Sequence, residues 1–223
     1  MPPANPALQD MDVSIPPGGL PGILSVPANP KGVVVFAHGS GSSRLSPRNR
    51  AVAEALGREG LATLLFDLLT PVEARDRENV FDIPLLAARL ETAIRYVRER
   101  PATAGLPVGL FGASTGAAAA LTAAASWPGE VSTVVSRGGR PDLAGEMLAA
   151  VKVPVLLIVG EQDRQVLELN RKAMSLLPTE SELALVPGAT HLFEEPGALE
   201  EVTSLAAGWF GRRLSPGGER RAP

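Results

Sequence analysis

A serine framed by glycines is the first feature of this chain that could do chemistry. The segment is Gly112-Ala113-Ser114-Thr115-Gly116, with an apolar run over 106–111 before it and an alanine-rich segment after it. This strand, turn and helix context is typical of a nucleophile elbow, in which glycines remove Cβ atoms where the backbone bends sharply. The serine is then strained, and its hydroxyl is exposed above a sheet. The pattern predicts that Ser114 is a nucleophile.

A serine hydroxyl needs a base within hydrogen-bond reach, most often a histidine. The chain has two histidines. His38 directly follows the apolar run 33–37, and His191 lies in a loop between the last predicted strand and the last predicted helix. Either ring could instead be structural, so the choice between them depends on the fold.

A carboxylate is expected as the third group, because it fixes the imidazole tautomer and stabilises the imidazolium formed during attack. Asp163 is the candidate, since it follows the apolar run 155–159 and emerges at the end of a strand. Glu161, two residues away, and Asp142, after the preceding strand, are rivals for this role. With Asp163, the three groups occur in the order Ser, Asp, His at the ends of three separate strands.

The elements that must position these groups alternate between strands and helices. Short strands at 13–15 and 22–26 predict an antiparallel hairpin at one sheet edge. Apolar runs then predict strands at 33–37, 62–66, 107–111, 131–135, 154–159 and 182–186, and helical periodicity predicts helices at 47–58, 82–98, 115–126, 142–150, 165–177 and 198–210. Such alternation predicts an α/β fold with a mostly parallel sheet, helices on both faces and a ligand site at the carboxyl ends of the strands.

These segments together resemble the α/β-hydrolases, and most of all the small dienelactone-hydrolase-like branch, over residues 20–211. The resemblance rests on the segments 33–43, 112–116, 160–163 and 188–191. It implies an α/β-hydrolase fold, with Ser114 as nucleophile, His191 as base and Asp163 as its partner. One departure matters: dienelactone hydrolases proper carry a cysteine at the elbow, and this chain has serine there and no cysteine at all. The resemblance therefore implies a general serine esterase.

The resemblance also assigns the histidine and glycine at 38–39 to the start of an oxyanion loop, so His38 is not the expected base. Backbone N–H groups aimed at the developing oxyanion contribute about 3 to 4 kcal/mol each. The expected donors are the N–H groups of Thr115 and Ser40, with Gly41 as the second choice for the latter.

Composition narrows the function classes. The chain has 223 residues, 45% of them hydrophobic, and a net charge of −3, which provides no broad basic surface for nucleic acid. Without cysteine there is no disulfide or thiol chemistry, and the predicted reaction needs no metal or cofactor. The first residues lack a signal-peptide pattern and no apolar run is long enough for a membrane span, so we expect a cytoplasmic protein that does not engage a membrane. We expect a loose tail over 1–12, a single domain over 13–212 and a disordered tail over 213–223.

Substrate predictions follow from the loops. Only 17 residues separate Ser136 from Pro154, which leaves no room for a large cap, although the segment 67–80 could cover part of the site. We therefore expect a small or soluble ester as the substrate. Arg44, Arg137 and Arg140 lie in loops near the site and could bind a substrate carboxylate or form structural ion pairs. A thioesterase, amidase or acyltransferase would use the same chemistry, and a noncatalytic binding or regulatory module is the alternative from another class.

Overall fold

A computed structural model describes residues 8–178 and 180–214, which contain one sheet of eight strands. The strands are β1 (Gln9–Ile15), β2 (Leu20–Val26), β3 (Val33–Ala37), β4 (Ala62–Phe66), β5 (Val108–Ala113), β6 (Thr133–Arg137), β7 (Val155–Gly160) and β8 (Glu182–Val186). Their order across the sheet is β1-β2-β4-β3-β5-β6-β7-β8. The β1–β2 and β2–β4 pairs are antiparallel and all others are parallel, so β3 to β8 end at the same edge.

Within these described residues, six α-helices accompany the sheet: α1 (Pro47–Arg58), α2 (Arg77–Phe81), α3 (Ile83–Arg98), α4 (Thr115–Ser126), α5 (Arg164–Met174) and α6 (Ala198–Arg213). Capping explains two of the starts. The Ser46 hydroxyl accepts from the N–H of Asn49 before α1, and the Asp82 carboxylate accepts from the N–H of Leu85 before α3. A proline in the first turn of both helices needs no amide partner there.

The core has two layers because alternate residues of each strand point to opposite faces of the sheet. In β3, Val33 and Val35 pack with α3 and α4 on one face, while Val34 and Phe36 pack with α1 and α6 on the other. The second layer contains the fully buried Trp209 and Phe210 of α6. This is the predicted fold class: a mostly parallel sheet with helices on both faces.

Several boundaries differ from those expected. The tail predicted over 1–12 is wrong for residues 9–12, because β1 begins at Gln9 and pairs with β2 from Val26 onward. At the other end α6 continues to Arg213 and Leu214 is buried, so the predicted boundary at 212 falls inside the helix; the rest of the predicted tail, 215–223, lies outside the described residues.

Two connecting segments also differ in detail. The helix predicted at 142–150 is a 3-10 helix, Pro141–Ala150, with a break at Gly145. It occupies more than half of the short β6–β7 connection, residues 138–154, so no cap domain lies there. The segment 67–80 contains a short 3-10 helix, Glu73–Arg75, and runs into α2. No helix of the described chain is long and apolar enough to cross a membrane.

Candidate active site

Ser114 stands between the end of β5 and the start of α4 in a strained backbone conformation, with φ 51° and ψ −119°. The two glycines of the motif are required by close packing. A Cβ on Gly116 would overlap the carbonyl oxygens of Ala37 and His38, and one on Gly112 would overlap the backbone of Ala117. The local sequence therefore folds into the predicted elbow because only glycine fits on either side of the bend.

The neighbouring strand holds the backbone of Ser114 in place. The N–H of Ser114 donates to the carbonyl oxygen of Arg137 at 3.2 Å, and the N–H of Arg140 donates to the carbonyl oxygen of Ser114 at 3.2 Å. Both partners belong to the end of β6 or the loop after it, so the position of the candidate nucleophile depends on the parallel pairing of β5 with β6.

Asp163 and His191 lie in contact at the same sheet edge. Asp163 follows β7 and His191 follows β8, and the His191 Nδ1–H donates to Asp163 Oδ2 at 2.6 Å. With Nδ1 protonated, Nε2 of the neutral ring is free to accept a proton. The ring also lies close to the loop that follows β6, since a Cβ built on Gly138 would lie 3.6 Å from His191 Cε1. The Asp163 side chain is 14% exposed and that of His191 is 39% exposed.

The rival carboxylates have other partners. Glu161 accepts from the N–H of Gly188 at 3.0 Å, and Asp142 forms a bidentate pair with the Arg140 guanidinium at 2.7 and 2.8 Å. Asp163 is therefore the carboxylate that contacts His191 and orients its ring.

His38 has a structural role. Its Nδ1–H donates to the carbonyl oxygen of Gly39 at 3.0 Å, and its Nε2 accepts from the N–H of Leu68 at 3.1 Å. Burial lowers the pKa of His38, against smaller raising effects from the Gly39 carbonyl and Asp67. A neutral His38 thus joins the loop after β3 to the segment after β4.

The predicted oxyanion loop, residues 38–43, lies against the elbow. A Cβ built on Gly39 would be 3.1 Å from Ser114 Cβ, which places this loop beside the candidate nucleophile. The N–H of Ser40 donates to Thr115 Oγ1 at 2.9 Å. Sequence reasoning assigned Thr115 only a backbone role and missed this side-chain contact. Gly41, the second choice as donor, has φ 70°.

The three arginines near the site are held by the protein itself. Arg44 binds Asp67 through both its backbone N–H at 2.7 Å and its guanidinium at 2.6 Å, and Arg140 is held by its pair with Asp142. Arg137 is buried, with its guanidinium carbon 5.8 Å from the centroid of the Phe193 ring, and burial lowers its pKa to about 10. The ion-pair alternative therefore describes Arg44 and Arg140. Arg137 forms no ion pair within the described residues, and its Nη2 donates to the side-chain oxygen of the buried Asn49 at 3.4 Å.

A cavity of about 260 Å³ opens beside the oxyanion loop. Its walls come from that loop, from Thr115, from the segment that connects β4 to α3, and from Leu86 in α3. No group of three or more potential metal ligands occurs within residues 8–178 and 180–214.

Comparison with known proteins identifies the family and agrees with the fold of this chain. The model of the dienelactone hydrolase family matches residues 20–209. A crystal structure of a dienelactone hydrolase from Anabaena variabilis is 52% identical and superposes with a TM-score of 0.89, covering 95% of this chain and 100% of that one. A Pyrococcus furiosus esterase, 19% identical with a TM-score of 0.70, covers 94% of this chain and 92% of its own, and shares the fold.

A protein of two Mycobacterium tuberculosis strains, named "Putative phosphoribosyl transferase", is 60% identical over 209 residues. That match covers 93% of this chain and 47% of the relative, so the chain spans about half the length of the curated relatives it matches.

Proposed function

The chain belongs to the dienelactone hydrolase family, and from that premise we propose that it is a serine hydrolase that cleaves carboxylic esters through an acyl-enzyme on Ser114. The observation that carries the proposal is the 2.6 Å hydrogen bond between His191 and Asp163, at the sheet edge where the strained Ser114 also stands. Nucleophilic catalysis by serine needs this arrangement, in which the base is itself oriented by a third group.

In the proposed reaction His191 Nε2 takes the proton of the Ser114 hydroxyl as its oxygen attacks the ester carbonyl. Asp163 stabilises the imidazolium that forms. His191 then protonates the leaving alkoxide, which leaves an ester between Ser114 and the acyl group. A water molecule, activated by the same histidine, attacks that ester and releases the acid.

The oxyanion of each tetrahedral intermediate is assigned to the N–H groups of Thr115 and Ser40. The Ser40 N–H is held by Thr115 Oγ1 at 2.9 Å. In the proposed mechanism the substrate oxygen shares this N–H with the threonine hydroxyl or takes it over. Before substrate binds, the Thr115 hydroxyl keeps the Ser40 N–H of the oxyanion loop next to the elbow.

The serine at the elbow limits which substrates of the family can be proposed for this chain. A serine hydroxyl depends on its base for activation, whereas a cysteine is partly ionised near neutral pH. The proposal is therefore a serine esterase of small substrates, and it does not extend to dienelactones.

The name of the mycobacterial relatives belongs to proteins about twice as long as this chain. Since their match covers 93% of this chain, it includes most of residues 20–209, which match the hydrolase family. Hydrolysis is accordingly the activity proposed for this chain, and thioesters and amides are further substrates that the same groups could attack.

The test is intact-mass analysis after treatment with a fluorophosphonate, which reports an activated serine without knowledge of the substrate. We expect one adduct on the wild-type chain, none on Ser114→Ala, and one on the control Ser126→Ala, which changes an exposed serine at the other end of α4. Absence of an adduct on folded wild type would overturn the proposal and favour a noncatalytic binding module.

A further inference from the structure

We propose that the cavity beside the oxyanion loop holds the acyl part of the substrate, and that the substrates are esters of uncharged, apolar acids of up to about eight carbons. This inference rests on the proposed function, because an acyl pocket has meaning only if Ser114 is acylated.

The chemistry of the cavity walls favours an apolar occupant. Six of the side chains that line it beyond the oxyanion loop are apolar: Leu68, Leu69, Pro71, Ala74, Val80 and Leu86. The charged group among the lining residues is Asp67, whose two carboxylate oxygens are bound by Arg44. An ionised acyl group would lie against hydrocarbon and beside this carboxylate, and burying an unpaired charge is costly.

The order of strands assigns the cavity to the acyl side of the ester. Ser114 follows β5; the cavity walls follow β3 and β4 on one side of it, and Asp163 and His191 follow β7 and β8 on the other. His191 must protonate the leaving oxygen, so the alcohol part of the ester faces the histidine. The acyl chain then extends in the opposite direction, past Ser40 and Thr115 and into the cavity.

The volume sets the chain length. An apolar cavity of about 150 Å³ can hold a benzene molecule, which has six carbons, so a cavity of about 260 Å³ has room for roughly eight to ten carbons. An octanoyl chain therefore fits in the cavity, and much longer chains project from it. Each methylene that enters should raise kcat/KM by about fourfold until the cavity is full.

The experiment compares two isomeric esters, methyl octanoate and heptyl acetate, by acid release at constant pH. Ala74→Phe places a ring in the cavity from an exposed position on the 3-10 helix, so the change does not enter the core. We expect kcat/KM for methyl octanoate to fall at least tenfold, and that for heptyl acetate to change less than threefold. Val80→Ala, which enlarges the cavity from a half-buried position, should extend the preferred acyl chain by one or two carbons.

Ala102→Phe is the matched control, because Ala102 is exposed in the connection between α3 and β5 at the other end of the sheet. Equal losses for the two isomers in Ala74→Phe, or a larger loss for heptyl acetate, would overturn the acyl assignment. Fluorophosphonate labelling of Ser114 in the same variant separates the two failures. Labelling at the wild-type rate with an unchanged ester preference refutes the pocket alone, whereas no labelling of the wild type refutes the hydrolase.

Discussion

Replacement of Asp163 by asparagine tests the arrangement on which the proposed mechanism depends. Asparagine keeps the size and shape of the side chain but removes its charge. It also presents an amide that can place N–H against His191 Nδ1. The ring then tends to carry its proton on Nε2, where it cannot accept one from Ser114.

The magnitude follows from the geometry. With Nδ1 and Oδ2 2.6 Å apart, the charge centres of imidazolium and carboxylate are about 4 Å apart, which is worth about 4 kcal/mol at an effective dielectric constant of about 20. The His191 side chain is 39% exposed, so screening by water reduces this to about 3 kcal/mol. Together with the unfavourable tautomer, the expected loss in kcat is about a thousandfold to ten-thousandfold.

The assay is hydrolysis of p-nitrophenyl acetate, with kcat and KM measured separately. The loss should appear in kcat, since Asp163 contacts the base and not the cavity. Glu161→Gln is the matched control, because Glu161 is two residues away and bonds to the N–H of Gly188. We expect its kcat to stay within about threefold of wild type.

A fall of less than tenfold in Asp163→Asn would refute the reasoning, as would an equal fall in Glu161→Gln. Circular dichroism and urea unfolding of both variants would show whether either loss comes from unfolding.

Three further predictions concern stability. Burial lowers the pKa of His38 below 6.5, so the folded protein binds fewer protons than the unfolded chain. The free energy of unfolding should therefore fall as the pH drops from about 6.5 toward the pKa of the folded state. Urea titrations at pH 7.5 and 5.5 should show a smaller fall for His38→Gln than for the wild type, and an equal fall would contradict this. Gly116→Ala should lower the free energy of unfolding by more than about 2 kcal/mol and abolish fluorophosphonate labelling, because the new Cβ overlaps two backbone carbonyls. The control Gly211→Ala, in α6, should leave the free energy of unfolding unchanged or raise it by up to about 1 kcal/mol. Arg137→Met removes a buried guanidinium whose Nε has no hydrogen-bond partner among the described residues and whose Nη2 donates to Asn49 Oδ1 at a long 3.4 Å. Because relief from burying the charge outweighs the loss of this weak bond, thermal unfolding should show a gain of about 1 to 3 kcal/mol. A loss of more than about 1 kcal/mol would contradict this and show that the bond to Asn49 stabilises the fold.

Much of the fold could be predicted because its signals are local. The strands β3, β4 and β8 have the predicted bounds. Of these, β3 and β4 are buried throughout, and their mostly apolar residues define them in the sequence. The elbow could also be predicted, because the spacing of two glycines around Ser114 is itself the requirement for the bend. By contrast, β1 begins with the mostly exposed residues 9–12, which form a strand only because β2 pairs with them. The few apolar side chains of residues 9–12 do not predict a strand.

The amino-acid sequence by itself determined which groups could act and in what order they follow the strands. Only the tertiary structure decided which of three carboxylates contacts His191, that both ring nitrogens of the half-buried His38 are hydrogen-bonded, and that the hydroxyl of Thr115 holds the N–H of Ser40. It also decided that Arg44 and Arg140 are paired within the protein and that a cavity lies on the side of Ser114 away from His191. The physical reason is that each of these contacts depends on sheet order and register. These are set by packing between segments far apart in the chain, whereas residue type and local spacing report only on a residue's neighbours.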